Sequence, residues 1–170
     1  AYEHEQHIAK IYYAALALSL LPKKVYDQLM ANVIFDRTQF ELNLFDNELG
    51  NDHIIHLCHV LPLTVITNLD VRLNEISDAG AIALAANQTI THLIARYNHI
   101  GPTGGQALAT NKTMIHLDLT GNYIGDEGTK ALADNQTLIQ LNVRFNLIDA
   151  DGAKALAANQ TLINLDISDN

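Results

Sequence analysis

The sequence predicts an α/β solenoid: a right-handed coil with a parallel β-sheet on its concave side, short helices on its convex side and a helical cap at the N-terminus. Three observations carry this. Thr89, Thr113, Thr137 and Thr161 recur every 24 residues, and Asn74, Asn98, Asn122, Asn146 and Asn170 keep the same period, the self-similarity of a repeat architecture. Each unit alternates apolar and polar residues over a few positions, as in Leu117 to Leu119, the pattern of a short strand with one buried face. Each unit then carries an Ala-Leu-Ala segment, such as Ala107 to Ala109 or Ala131 to Ala133, small and apolar enough for a short helix packed back on that strand. One strand and one helix per unit stack into a curved coil.

Composition bounds the rest. The chain has 170 residues, 10 Lys+Arg against 19 Asp+Glu, and a formal charge of −9, with 48% hydrophobic and 17% charged residues. That suits one array with an ample core and excludes a disordered chain. No uncharged apolar run approaches the ~18 residues of a membrane span, since the stretch Ile11 to Pro22 stops at about a dozen, so a soluble chain without membrane insertion is expected. The acidic balance excludes a general nucleic-acid binder unless the few cations gather in one strip. The single Cys58 cannot form an internal disulfide, which fits a reducing compartment. The sequence starts at Ala1 without a basic segment, apolar stretch and cleavage site in succession. A cytoplasmic protein is expected.

The units share the pattern Leu-x-x-Leu-x-Leu-x-x-Asn-x-Ile, as in Met114, Leu117, Leu119, Asn122 and Ile124, or Leu138, Leu141, Val143, Asn146 and Ile148. This resembles the leucine-rich repeat family. With Gly-x-x-Ala-Leu-Ala-x-Asn-x-Thr-Leu between the strands, it is similar to the ribonuclease-inhibitor-like subclass, shortened, and to leucine-rich repeat effectors of intracellular bacteria. The resemblance spans about residues 65 to 170. It implies a leucine-rich repeat solenoid that binds a protein partner and, in the effector case, a chain secreted into a host cell without a cleaved signal peptide that binds a host protein there.

The fixed polar residues have predicted roles. The pattern asparagines satisfy backbone groups where the chain leaves the strand and tie adjacent repeats. Asp78 and Asp126 stand just before their helical segments and are expected to cap them, with Thr103 or Asp151 substituting where Pro102 and Ala150 occupy the position. Asn87, Asn111, Asn135 and Asn159 end the helices, where a left-handed residue is expected. Gly80, Gly104, Gly128 and Gly152 allow close packing of helix on strand.

Residues 1–38 break the period and read as helical, from Ile8, Ile11, Tyr12, Ala15 and Leu16 and then Val25, Leu29 and Val33. They are assigned as an N-terminal helical cap over the exposed end of the core. The array occupies 39–170: a degenerate first repeat over 39–64, with Leu42, Leu44, Asn47 and Leu49 in pattern positions, then 24-residue repeats from 65, the last incomplete. The 27-residue distance from Asn47 to Asn74 predicts a longer helix in the first repeat. Leu21 to Tyr26 is similar to the opening of an F-box, which implies an alternative role as substrate adaptor of a ubiquitin ligase. The plainer reading of Pro22 is a helix start.

Counted from the first Leu of the pattern, the third, fifth, seventh and eighth positions point to the concave face and stack into rows. The third row runs Asn68, His92, His116, Gln140, Asn164, and the fifth Asp70, Ile94, Asp118, Asn142, Asp166. The seventh, Arg72, Arg96, Thr120, Arg144, Ser168, holds three of the chain's four arginines; the eighth is Leu73, Tyr97, Gly121, Phe145, Asp169. Arginines beside aromatics are the residues in which interface energy concentrates. The predicted partner-binding site is therefore Arg72, Arg96, Tyr97, Arg144 and Phe145, with His92, Ile94, His116 and Asp118 adding selectivity. The arginines are expected on one line within reach of an acidic segment; the alternative is that they pair with Asp70 or Asp118 and neutralise the ladder.

Asp52, His56 and His59 share one helical face, but Ile54, Leu57, Cys58 and Leu61 form the opposite, core-facing stripe. The histidines then read as a solvated face and no metal site is assigned. No nucleophile and base pair or phosphate loop departs from the repeat consensus, since Gly101 to Gly105 is one variant of the repeat's turn. No catalytic residue, enzymatic activity or cofactor is assigned. Asn170 ends on a strand pattern, so either further repeats follow or an oligomer contact protects that sheet edge.

Overall fold

The computed structural model describes residues 19–30 and 40–170. Its sheet has six parallel strands in sequence order, β1 (Glu41–Asn43), β2 (Asn68–Asp70), β3 (His92–Ile94), β4 (His116–Asp118), β5 (Gln140–Asn142) and β6 (Asn164–Asp166). The register puts the central leucines side by side, Leu42, Leu69, Leu93, Leu117, Leu141 and Leu165. Helix α1 (Lys23–Met30) precedes the sheet. Between strands run α2 (Asn51–Val60), α3 (Asp78–Ala86), α4 (Pro102–Ala109), α5 (Gly125–Ala133) and α6 (Ala150–Ala158). The 24-residue repeats of the array are the turns of this α/β solenoid.

Leu and Ile of the pattern form one continuous core between sheet and helices, joined at its near end by Leu21, Val25 and Leu29 of the α1 segment. Fully burying such a side chain stabilises by ~1.5–3 kcal/mol. The helical segment expected around Ile8 to Leu16, and Val33, lie outside the described residues.

Side-chain amides close the gaps in the backbone ladder. Asn122 Oδ1 accepts from Ile100 N at 2.9 Å, and its Nδ2 donates to Ala95 O and Leu119 O, both at 2.9 Å. Asn74, Asn98, Asn146 and Asn170 make corresponding bonds between adjacent turns. The second row works differently from expectation. Asn87 and Asn159 are extended (φ −70° and −65°), and the row's Oδ1 atoms instead accept the amides that open the next strand, such as Thr113 N and Met114 N on Asn111. Nδ2 of Asn111, Asn135 and Asn159 each donates to two carbonyls of the preceding turn. Asn87 Nδ2 has no such partner: the extra residues of the first repeat form a 3-10 turn, Leu61–Leu63, where Thr64 Oγ1 accepts from Ile66 N instead.

Helix capping also crosses between repeats. Asp78 caps not its own helix but the next one, accepting Gly101 N at 2.7 Å and Gly104 N at 2.8 Å. Asn51 does this for Ser77 and Gly80, and Asp126 for Asp149 and Gly152. The glycine row leaves room at each position for the isoleucine four residues earlier, a Cβ on Gly128 lying 2.5 Å from Ile124 Cγ2. At Gly80, Gly104 and Gly152 it leaves room for the capping side chain as well, a Cβ on Gly104 lying 2.7 Å from Asp78 Oδ1. Pro102 has no side-chain acceptor, and there Gly125 turns left-handed (φ +59°) and gives its N–H to Asn146 O instead.

Candidate functional site

The concave face divides into a groove and a rim. The third and fifth rows line the groove, about 590 Å³ in volume, with His92, Ile94, His116 and Asp118 along its length. The rows sit at matched register, His92 beside His116 and Ile94 beside Asp118. The two imidazoles are 4.3 Å apart between ring centres, tilted by 54°, and Thr91 Oγ1 lies 2.8 Å from His92 Nδ1. Burial, and secondarily the neighbouring His116, pulls His92 below the ordinary histidine value.

The fifth row shapes the exit from each strand. Asp70 Oδ1 accepts from Arg72 N, Asp118 Oδ1 from Thr120 N, Asn142 Oδ1 from Arg144 N and Asp166 Oδ1 from Ser168 N, all at 3.0 to 3.1 Å. These are Asx turns, the short-range alternative that Asp and Asn offer a backbone leaving a ladder. Asp118 thus has a structural duty as well as a place in the groove.

All three arginines of the seventh row are paired within the protein. Arg72 holds Asp70 in a two-pronged contact, Nε and Nη2 at 2.9 and 2.6 Å from Oδ2. Arg96 holds Asp118 through Nε at 2.8 Å and Nη2 at 2.7 Å, and Arg144 Nη2 donates to Asp169. The Arg144–Asp169 pair is open to solvent and adds little, whereas Asp70 is buried beneath Arg72, where loss of the guanidinium would strand a charge; all three pairs set the guanidinium planes. Arg72 lies over the Phe45 ring at 5.2 Å and Arg144 over Phe145 at 5.4 Å. Arg72 and Arg96 come from adjacent turns, while the buried Thr120, bonded to Asp118, separates Arg96 from Arg144.

The eighth row carries the backbone specialty of the fold. Asp46, Leu73, Tyr97, Phe145 and Asp169 all have φ between +50° and +59°, and Gly121 has +69°. This is the left-handed region that glycine tolerates and that costs other residues ~1–2 kcal/mol. Gly121 also makes room: a Cβ there would lie 2.5 Å from Tyr97 Cδ1, so the tyrosine ring rests on it. Tyr97 and Phe145 remain 51% and 49% exposed.

Sequence reasoning missed part of the rim. Phe45 lies in the seventh row of the degenerate repeat, and the tenth position continues the apolar edge with Tyr123 and Leu147, the latter 73% exposed. His99 and Tyr123 stack with ring centres 6.2 Å apart and planes within 9°. The tenth row keeps the same 24-residue period as the others, so it was open to the same reading. On α2, Asp52 and His59 are exposed and His56 half-buried, and no group of three metal-ligating residues gathers among the described residues. Burial pushes the Cys58 thiol up to about 12, the opposite of an activated thiolate.

Four consecutive segments, 63–85, 86–109, 110–133 and 134–157, match the Leucine Rich repeat family pattern, each containing one strand and one helix of the coil. The chain belongs to the leucine-rich repeat family. Among solved structures, the leucine-rich repeat coil is similar to one titled Leiomodin-1 Actin-Binding Site 2, at 25% identity and a TM-score of 0.62, covering 81% of this chain and 90% of that one. No curated protein matches the chain. No helix among the described residues is long and apolar enough to cross a membrane. Leucine-rich repeats are generic protein-interaction modules, and that coarse role is the chain's.

Proposed function

We propose that this leucine-rich repeat chain binds its protein partner across the groove and rim, with Arg72, Arg96, Tyr97, Arg144 and Phe145 as anchors and His92, Ile94, His116 and Asp118 as selectivity contacts. One observation carries the reading: Tyr97 and Phe145 are held half-exposed at left-handed backbone positions where glycine would be easier. Strain retained at an outward-facing aromatic points to use of the side chain. The arginines act through the donors their internal pairs leave outward, and through stacking.

The consensus resembles that of effectors of intracellular bacteria, so the partner class proposed is a host protein, met in a host cytoplasm. Actin is the first to test, because the similar solved structure is titled an actin-binding site. Residues 1–38 are proposed as the cap, supported by Leu21, Val25 and Leu29 joining the core while Lys23 and Lys24 stay exposed. Under the F-box alternative those residues would instead recruit a ligase, and their deletion would leave a folded array; a cap predicts unfolding or aggregation. The test of the site is capture by the immobilised chain, from purified actin first and then from a host lysate, compared with the Tyr97→Gly/Phe145→Gly variant. Loss of capture by the folded variant supports the site, and unchanged capture refutes it.

A further inference from the structure

Resting on that reading of the rim, we infer the chemistry of what it binds: an extended partner segment, basic at one end and apolar at the other, lying along the seventh to tenth positions from the first to the fifth turn. The arginines would suggest an acidic ligand, but each already holds a carboxylate of this chain. At the third, fifth, seventh, eighth and tenth positions, eight carboxylates stand against these three guanidiniums. An acidic segment would meet a surface of its own sign in a chain of charge −9, and like-charge contact is a means of rejection.

The distribution along the rim gives the direction. Glu48 and Glu75 are exposed at the tenth position of the first two turns, and among the described residues no cation is paired with them. Phe45 and Leu73 lie beside them, 43% and 46% exposed. Two turns on, the same position becomes Tyr123 and then Leu147, beside Phe145. Strands spaced ~4.8 Å apart make this run ~19 Å, about six residues of extended chain at ~3.3 Å each. Lysine or arginine stems can lie on Leu73 and on the part of Phe45 that Arg72 leaves open, with their heads at the glutamates; apolar side chains then meet Tyr123, Phe145 and Leu147. The pieces of the rim are ordered so that reversing the segment would place its cations on the apolar end.

Fluorescence anisotropy with two labelled twelve-residue peptides tests this: three lysines followed by three leucines in a Gly/Ser background, and the same peptide with glutamates for lysines. The basic peptide should bind at least tenfold more tightly than the acidic one, and weaken severalfold when salt rises and shortens the range of the field. Glu48→Gln/Glu75→Gln should weaken it about tenfold, whereas Glu127→Gln/Asp134→Asn, the same charge change on the convex side, should leave it within twofold. Equal or tighter binding of the acidic peptide overturns the inference. So does an equal effect of the two double variants, or no binding of the basic peptide up to about 1 mM, the scale of the weakest specific contacts. If a captured partner depends on Phe145 but not on Glu48 and Glu75, the rim stands as the binding surface and only its assigned ligand chemistry falls.

Discussion

Replacing Phe145 with glycine separates a residue that holds the fold from one that the fold holds out for a partner. With the side chain 49% exposed, its removal forfeits about half the value of a buried phenylalanine, roughly 1 kcal/mol. The contact with Arg144 at 5.4 Å adds ~0.5 kcal/mol for an exposed cation on a ring, and glycine's freedom in the unfolded chain costs ~0.5–1 kcal/mol. Against these stands relief of the left-handed backbone at φ +51°, worth ~1–2 kcal/mol. The net change is a loss of ~0–1.5 kcal/mol, where truncating a core phenylalanine costs ~3–5 kcal/mol. Urea unfolding followed by far-UV circular dichroism measures it, since the chain has no tryptophan. Partner affinity should meanwhile fall by at least about 30-fold, the ~2 kcal/mol threshold of an interface anchor. A stability loss of ~3 kcal/mol or more, or unchanged affinity, would refute the assignment of Phe145.

Three further outcomes are expected. Asn122→Ala leaves Ile100 N without a partner and takes one of two donors from Ala95 O and Leu119 O, so denaturant unfolding should show a loss of ~2–4 kcal/mol; Asn170→Ala, with water at hand, should cost nearer ~1 kcal/mol. Thr129 is fully buried with an unsatisfied hydroxyl where other turns carry Ala81 and Ala153, so Thr129→Val should raise stability by ~1 kcal/mol, read as a shift in the unfolding midpoint. His92 resists protonation in the folded state, so the unfolded chain takes up the proton first. Stability should therefore fall as pH drops through the ordinary histidine value of 6.5 toward the lowered folded value, and His92→Gln should flatten that part of the profile.

The fold was legible because a repeat states the same local rule several times. Leu117 and Leu119 alone could belong to any strand; with Leu93, Ala95, Leu141 and Val143 at the same spacing they specify stacking and register together. What the pattern could not reveal was which turn a fixed side chain serves. Asp78 looks like the cap of the helix it begins, and only the coil's pitch carries it to Gly101 and Gly104. The pattern points to the Asn87 row for left-handed residues, but those side chains take up backbone amides from an extended backbone, and the left-handed turn falls on Tyr97 and Phe145. The arginine row was found from its period. Whether its members were free or paired depended on side-chain directions that spacing does not encode.

Because Asp78 serves a helix one turn away, injury in this coil should travel in one direction along the chain. A lesion at Asp78 exposes amides at Gly101 and Gly104 to exchange with solvent while those of its own turn, held by Asn51, stay protected. Pro102 interrupts that relay, since α5 begins without a gift from the turn before it. The relay of caps is thereby broken at mid-array, and the close packing of α4 on α5, with Gly105 against Gly128, holds that step of the arch instead.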